Sequence, residues 1–456
     1  MYQDVFGQDT TLNSRDALAH WDATLMAFMA HGASTPTHLV ATLEADPDFA
    51  LGYAVKGMFY LLLGRRELNE TAREALGLAE ACAQVRAISA RETSFIKALR
   101  AFYAGFPTEA IGHLEDILKI HPGDTLAMKL SHAIRFVLGD GVGMRASVEN
   151  VMGAYGPDHP GRGYLMGCHA FTLEETGEYS RAETVGRMGL TISPDDAWGL
   201  HAVAHVFDMT GNAMGGIDWL TGREDAWAHC NNFRYHVWWH KALMHLDLDQ
   251  TDVVLALYDT EIRADKTDDY RDISNATSLL SRLELNGVDV GDRWEELADI
   301  SANRTEDGCL IFADLHYLLA LIGGKREDAI KTLMGRMHRD ARSNTVEMDR
   351  RMSVPGLSAA AGLEAFGEAD FRTAFLNLAR ARPSMQNAGG SHAQRDVFER
   401  LTIDAGIRAG FLDEAERILK DRVSKRSAED GYASARFDLI AEGRDAASCD
   451  VRVPAE

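Results

Sequence analysis

Apolar residues recur at positions i, i+3, i+4 and i+7 along nearly the whole 456-residue chain, and short runs of Gly, Pro and Asp interrupt them. This spacing is the period of an amphipathic helix, and almost no stretch alternates as a half-buried strand does. The pattern therefore predicts an all-α protein. Pairing the segments gives helical hairpins near residues 15–46, 50–86, 92–121, 125–155, 162–192, 197–228, 232–264, 270–300, 308–340, 356–382 and 392–425, and a last helix near 430–442.

Breaker residues mark where several of these helices begin and end. Asp46-Pro47 precedes a helix that we expect to stop at Gly64, and the run 193–196 (Ser-Pro-Asp-Asp) opens one that we expect to stop at Gly211. Proline is compatible with the start of a helix, and glycine is favoured just after its end. The same punctuation at both sites indicates a repeated structural unit.

A lone helical hairpin cannot bury its apolar face, so neighbouring hairpins must stack to form a continuous core. We therefore expect an α-solenoid superhelix with a concave groove as its functional surface. The sequence predicts one continuous domain over residues 1–445 and a C-terminal tail over 446–456. The polar stretches 339–351 and 384–390 are the candidate breaks in the stack.

Two copies of one histidine pattern stand in the middle of the chain. His201-Ala-Val-Ala-His205 and His236-Val-Trp-Trp-His240 lie 35 residues apart at both histidines. Residues at i and i+4 share a helix face, and a helical-hairpin repeat of about 34 residues places equivalent helices side by side. We therefore expect the four imidazoles to meet on one wall of the groove.

The segment from Asp46 to Tyr60 resembles the first helix of a tetratricopeptide repeat, with its proline, aromatic, small and second aromatic positions in that order. In such repeats the first helix lines the concave side through its positions 2, 5, 9 and 12. The resemblance implies that both histidine pairs face inward. The residues at those positions are Trp198, His201, His205 and Asp208 in one repeat and Phe233, His236, His240 and Leu243 in the next.

A more specific resemblance rests on five ordered motifs, at 201–205, 236–243, 257–259, 314–316 and 389–398. With these motifs most of the chain is similar to the tetratricopeptide repeat protein 38 family. The resemblance implies a tetratricopeptide-like fold with degenerate hairpins and a shared central site, but it transfers no reaction. Asp208 stands where the family pattern often has Glu.

The histidine cluster has three chemical interpretations. Two i,i+4 pairs supply the nitrogen ligands that zinc, iron or another borderline metal accepts, with Asp208 or Asp314 as fourth ligand or orienter. Alternatively, the imidazoles make buried hydrogen bonds between helices. The third interpretation is a metal-free polar pocket, in which a neutral histidine is a general acid, a base or a donor to the ligand. Trp198 and Trp239 then supply apolar walls.

Two further motifs supply candidate ligand-binding residues. Asp314 and His316 are two positions apart, so on a helix only one of them is expected to face the groove. The run 389–396 (Gly-Gly-Ser-His-Ala-Gln-Arg-Asp) predicts a capping box at the start of a helix. His392 and Arg395 would add donors for a carboxylate there; the alternative is a capped helix whose Arg395 pairs with a neighbouring acid.

The chain carries 47 Lys and Arg against 69 Asp and Glu, a formal net charge of −22, and no basic stripe. Nucleic acid is therefore not an expected partner. No apolar run reaches the roughly 18 residues that cross a bilayer, and the first residues are acidic where a signal peptide is basic. Five scattered cysteines without a Cys-x-x-Cys motif favour reduced thiols. We expect a cytoplasmic protein without membrane contact.

These observations predict a tetratricopeptide-like repeat protein whose central histidine- and tryptophan-lined groove binds a small polar metabolite or a short peptide segment. No cofactor is predicted; a divalent metal at His201, His205, His236 and His240 is the alternative. In that case the same residues would serve a metal- or histidine-assisted, hydrolase-like enzyme. A protein–protein adaptor is the third hypothesis, and the sequence does not indicate an oligomeric state.

Overall fold

The computed structural model describes residues 2–450, and side chains over 2–446. Two short antiparallel strands come first, β1 (Tyr2–Gln3) and β2 (Asp9–Thr10). The helices up to residue 228 are α1 (Arg15–Met29), α2 (Thr35–Ala45), α3 (Ala50–Leu62), α4 (Leu68–Val85), α5 (Ala90–Tyr103), α6 (Pro107–Ile120), α7 (Thr125–Val137), α8 (Gly141–Val151), α9 (Arg162–Glu175), α10 (Tyr179–Ile192), α11 (Ala197–Met209), α12 (Ala213–Leu220) and α13 (Asp225–Ala228).

The later helices are α14 (Phe233–Asp247), α15 (Thr251–Leu257), α16 (Tyr270–Leu285), α17 (Arg293–Ala302), α18 (Ile311–Gly323), α19 (Glu327–Ser343), α20 (Glu347–Arg351), α21 (Leu357–Gly367), α22 (Phe371–Ala381), α23 (His392–Arg408), α24 (Leu412–Arg426) and α25 (Gly431–Asp450). Short 3₁₀ helices cover Met152–Ala154 and Arg382–Ala388, and π-helical turns cover Tyr258–Ile262 and Met352–Gly356.

The predicted all-α class of stacked helical hairpins is confirmed. Helices pack in sequence-adjacent pairs, such as α3 on α4, α5 on α6 and α9 on α10, and α3 also packs on α5 of the next pair. Two helices end where the breaker residues predict, because Gly64 and Gly211 adopt φ values of 62° and 67°. This left-handed conformation is one that glycine adopts without steric cost.

The structure differs from the predicted boundaries at two places. The polar stretch 339–351 is largely helical, because α19 runs to Ser343 and α20 begins at Glu347. The Asp349 carboxylate accepts hydrogen bonds from the backbone N–H groups of Thr345 and Val346 and so satisfies donors at the start of α20. At the C-terminus α25 continues to Asp450, past the predicted start of the tail at 446. The rest of that tail, 451–456, lies outside the described residues.

The chain divides into two compact units. The first unit comprises Met1–Val206, Gly222–Val237 and Ser343–Asp349, and the second comprises Phe207–Thr221, Trp238–Arg342 and Arg350–Glu456. The predicted single domain stays a prediction. Each unit has its own apolar core, which includes Trp21 and Phe49 in the first and Phe375 and Leu419 in the second. No helix of the described residues has the length and apolarity that crossing a membrane requires.

Candidate functional site

Three histidines of the first unit converge on one another. His201 and His205 lie one turn apart on α11, and His236 lies in the first turn of α14. The Nε2 atom of His201 is 2.8 Å from Nε2 of His205 and 3.1 Å from Nε2 of His236. All three side chains are buried. The structure therefore brings together imidazoles that stand one repeat apart in the sequence, as the spacing predicts for this pair of helices.

A carboxylate lies behind this cluster. Glu174, at the end of α9, places its Oε2 atom 3.4 Å from Nδ1 of His205, and its side chain is fully buried. No lysine or arginine among the described residues forms an ion pair with Glu174. Burying a carboxylate without a cationic partner costs free energy. A cation bound at this cluster would therefore be stabilised by Glu174.

Two glycines allow Glu174 to approach His205. A Cβ on Gly199 of α11 would lie 3.1 Å from the Cα of Gly167 on α9, and a Cβ on Gly167 would lie 1.9 Å from Oδ2 of Asp196. Any side chain at either position would therefore push the two helices apart. Their close contact sets α9 beside α11 and carries Glu174 to the histidines.

Burial decides the protonation of the cluster. It lowers the pKa of His201 well below the usual range, and the neighbouring His205, His236 and His31 lower it further, since each would repel a positive imidazolium. At physiological pH His201 is thus a neutral imidazole. A neutral ring has an unprotonated nitrogen that can accept a hydrogen bond or bind a metal ion.

Aromatic rings surround one side of the cluster. The Trp198 ring centroid lies 5.1 Å from that of His201, 4.6 Å from Phe171 and 5.6 Å from Phe233. The Lys129 ammonium lies over Trp198, 5.2 Å from the ring centre. Trp198 is therefore beside His201, where the repeat positions predict it, within a largely apolar shell.

The other predicted central residues belong to the second unit. His240 and Trp239 lie in the later turns of α14, and both are fully buried. The Arg282 guanidinium stands over the Trp239 ring at 5.5 Å. Asp208 forms an ion pair with Arg426 at 2.8 Å. Within the first unit, the carboxylate beside His205 is that of Glu174.

Asp314 and His316 are both fully buried in the second unit, because each finds a partner inside it. The Asp314 carboxylate accepts two hydrogen bonds from Arg336, at 3.0 and 2.5 Å. His316 places Nδ1 2.7 Å from the carbonyl oxygen of Phe312. Burial lowers the pKa of His316 to about 3. These contacts account for both side chains as parts of the packed interior.

The predicted capping box at the start of α23 is present. The Ser391 hydroxyl accepts a hydrogen bond from the Gln394 N–H, and the Gln394 side chain accepts one from the Ser391 N–H. Arg395 donates to the carbonyl oxygens of Gly389 and Gly390. His392 and Arg395 both line a cavity of the second unit.

Sequence reasoning missed Glu174, Phe171 and Lys129. Glu174 is followed directly by Glu175, and nothing in the sequence says that the first is buried while the second is partly exposed. Lys129 and Phe171 lie in earlier hairpins without any metal-ligand or repeat signature.

No family model matches the chain. Among solved structures it is similar to a human IFIT1 dimer with PPP-AAAA, at 14% identity over 97% of each chain and a TM-score of 0.41. A human IFIT1 dimer with m7Gppp-AAAA matches at 14% identity over 96% of each chain, with a TM-score of 0.35. A Naa15/Naa10 structure bound to HypK-THB matches at 12% identity over 94% of this chain and 66% of that one, with a TM-score of 0.24. Matches at these scores decide neither a family nor a ligand.

Proposed function

We propose that His201, His205 and His236 hold a divalent transition-metal ion at the centre of a helical-repeat protein. The observation that carries this proposal is the contact of the buried His201 Nε2 atom with Nε2 of His205 at 2.8 Å and with Nε2 of His236 at 3.1 Å. One ring nitrogen from each of the three histidines lies within 4.8 Å of those of the other two. Zinc–nitrogen bonds of about 2.0–2.1 Å in a tetrahedron put ligand nitrogens about 3.3 Å apart. The two nitrogen pairs that include His201 therefore need to separate by only a few tenths of an ångström to receive the ion.

Hydrogen bonding between the rings explains this arrangement less well. Nε2 of a neutral imidazole either carries one proton or offers one lone pair. Nε2 of His201 faces two other Nε2 atoms, so it can make a good hydrogen bond to only one of them. A metal ion at the centre uses all three lone pairs at once, which favours it over the alternative of purely structural hydrogen bonds.

Glu174 supports the same proposal. Metal-bound histidines usually donate their second ring N–H to a carboxylate, which orients the ring and raises its basicity. Oε2 of Glu174 lies 3.4 Å from Nδ1 of His205, and with a metal ion bound Glu174 would take that role. The ion would also supply the positive charge that this buried carboxylate calls for.

The donor set suits zinc, iron or another borderline metal. Three protein ligands leave a position for water or a polar substrate group, as in catalytic zinc sites. Bound there, a metal ion polarises a carbonyl and lowers the pKa of water. We therefore propose metal-dependent, hydrolase-like chemistry on a small polar metabolite or peptide segment.

The motifs at 201–205, 236–243 and 389–398 support membership of the tetratricopeptide repeat protein 38 family.

Elemental analysis of the full chain, purified without a histidine tag or chelator, tests the metal proposal. We expect about one equivalent of zinc, iron or manganese per chain, falling below about a tenth in His201→Ala and His205→Ala. Glu174→Gln removes only the orienting carboxylate, so we expect metal affinity to fall about 10- to 100-fold. His113→Ala, on α6 of the same unit, is the matched control and should keep its metal.

Circular dichroism shows whether each variant is folded. A folded wild-type chain that binds no metal after reconstitution with each of the three ions would refute the proposal. His240→Ala is a separate arm, since helix periodicity places His240 on the same face of α14 as His236. We expect this variant to keep its metal, because the proposed ligands are His201, His205 and His236.

A further inference from the structure

The second unit contains a cavity of about 350 Å³ between the 3₁₀ helix Arg382–Ala388 and helices α22, α23 and α24. This volume is in the range of small-molecule sites. The side chains that give the cavity its chemical character are Arg382, His392, Arg395, Arg422, Lys425 and Arg426. None of them belongs to the histidine cluster of the first unit.

Basic side chains outnumber acidic ones in the lining of this cavity. Five Arg and Lys side chains line it, against two carboxylates, those of Asp396 and Glu399. Arg422 is buried and held in place by ion pairs to Asp396 and Asp430 at 2.6 and 2.7 Å. These two carboxylates offset the charge of Arg422, so its role is to hold the cavity wall in place.

One nitrogen of Arg426 donates to no oxygen within the described residues. Its Nη2 atom donates to the backbone oxygen and the carboxylate of Asp208, both at 2.8 Å. Nη1 instead faces the thioether sulfur of Met209 at 3.9 Å, a weak acceptor. Arg426 and Met209 both line the cavity, and the Arg426 side chain is buried. A buried guanidinium N–H beside an open space indicates a ligand that accepts a hydrogen bond.

The start of α23 adds to the attraction. Gly389 and Gly390 adopt φ values of 94° and 75°, which turn the chain sharply into the helix. His392 is the first helical residue, so the positive end of the helix dipole lies at the cavity wall. Arg395 pins the turn by donating to its two glycine carbonyls. An anionic ligand is thus favoured by three features of this cavity: its basic side chains, the buried Arg426 donor and the start of α23.

We propose that this cavity binds the carboxylate or phosphate group of a small molecule. Lys425, Arg395 and Arg426 would contact the anion, and the apolar side chains of Met385 and Phe398 would cover its organic part. The site is independent of the metal proposal, because it lies in the other unit and shares no residue with it.

Isothermal titration of the full chain with inorganic phosphate and with succinate, at a constant ionic strength set by sodium chloride, tests this site. We expect saturable binding of at least one of the two anions. Lys425→Gln removes an exposed cation of the lining and should weaken binding at least about tenfold, since charge-assisted hydrogen bonds are the strong ones. Lys420→Gln, which removes the same charge from α24 outside the lining, should bind within about twofold of wild type.

The two anions separate the sources of the ligand. Saturable binding of phosphate alone indicates a phosphate ester, binding of succinate alone indicates a carboxylic acid, and binding of both indicates a general anion site; all three support the proposal when Lys425→Gln weakens them. Absence of saturable binding by either anion overturns it. Equal affinity of Lys425→Gln and Lys420→Gln overturns it as well.

Discussion

Two histidines have lowered pKa values mainly because they are buried, but their surroundings differ. His201 is surrounded by other imidazoles, and its pKa is lowered by burial and by those neighbours. His316 is held singly, with Nδ1 against the Phe312 carbonyl oxygen and its ring between Phe312 and Phe398. Residue type alone therefore does not define a site. His201 differs from His316 because its Nε2 atom lies next to two other imidazole nitrogens, whereas His316 contacts a carbonyl oxygen.

His316 should make the second unit sensitive to acid. Its folded pKa of about 3 lies below the unfolded value of 6.5, so between these values the unfolded chain binds a proton that the folded chain excludes. The free energy of unfolding therefore falls as the pH drops below 6.5, by up to about 1.4 kcal/mol per pH unit for this group. Urea denaturation at pH 7, 6 and 5 should show a smaller loss for His316→Leu than for wild type. Equal losses would show that His316 does not exclude protons in the folded state.

At the scale of elements, the contact between α9 and α11 is the feature that builds the site. Gly167 and Gly199 let the two helix backbones meet, and Gly186 of α10 makes room for Val203 of α11, whose Cγ2 would lie 2.6 Å from a Cβ there. Small residues thus replace the interlocking side chains of ordinary helix packing. Their contact places the carboxylate of one hairpin against a histidine of the next.

Replacing Gly167 with alanine should disturb this contact. Its Cβ would lie 1.9 Å from Oδ2 of Asp196 and 3.0 Å from the Cα of Gly199, so the helices must move apart. Overpacking of this kind typically costs about 1–3 kcal/mol of unfolding free energy. We expect urea denaturation to show that loss and metal titration to show weaker binding. Gly112→Ala is the control: nothing lies within 4 Å of its Cβ, and a stabilisation of about 0.5–1 kcal/mol is expected in the middle of α6.

At the scale of the whole molecule, the acidic surplus governs which partners can approach. The net charge of −22 comes from 69 acidic and 47 basic side chains. Some of the basic side chains form buried ion pairs, such as Arg91–Asp124 and Arg422–Asp430. An extended strip of cations for a polyanion is therefore not expected, although a small anion can still enter a locally basic cavity.

This charge balance predicts that the chain does not bind nucleic acid. Proteins gain affinity for a phosphate backbone by neutralising several phosphates with Lys and Arg. Fluorescence anisotropy with a labelled single-stranded RNA of about 20 nucleotides, at about 150 mM salt, should show no saturation up to about 10 µM protein. Saturable binding below about 1 µM that weakens steeply with salt would contradict the prediction.

The sequence alone was sufficient for the helices, their pairing and the meeting of His201 with His236. Helix periodicity, proline and glycine breakers and the 35-residue spacing are read from local stretches of chain, and they predicted hairpin boundaries close to those observed. The capping box at Ser391 belongs to the same class, because its two partners are three residues apart.

Only the tertiary structure decided which side chain each buried carboxylate contacts. Asp208 pairs with Arg426, 218 positions away, and Asp314 pairs with Arg336. Glu174 lies beside His205 because two glycines bring its helix against α11. The physical reason is that a buried charge selects its partner by the packing of segments remote in sequence. Helix periodicity shows which face a residue occupies, but the opposing residue is set by how the hairpins stack.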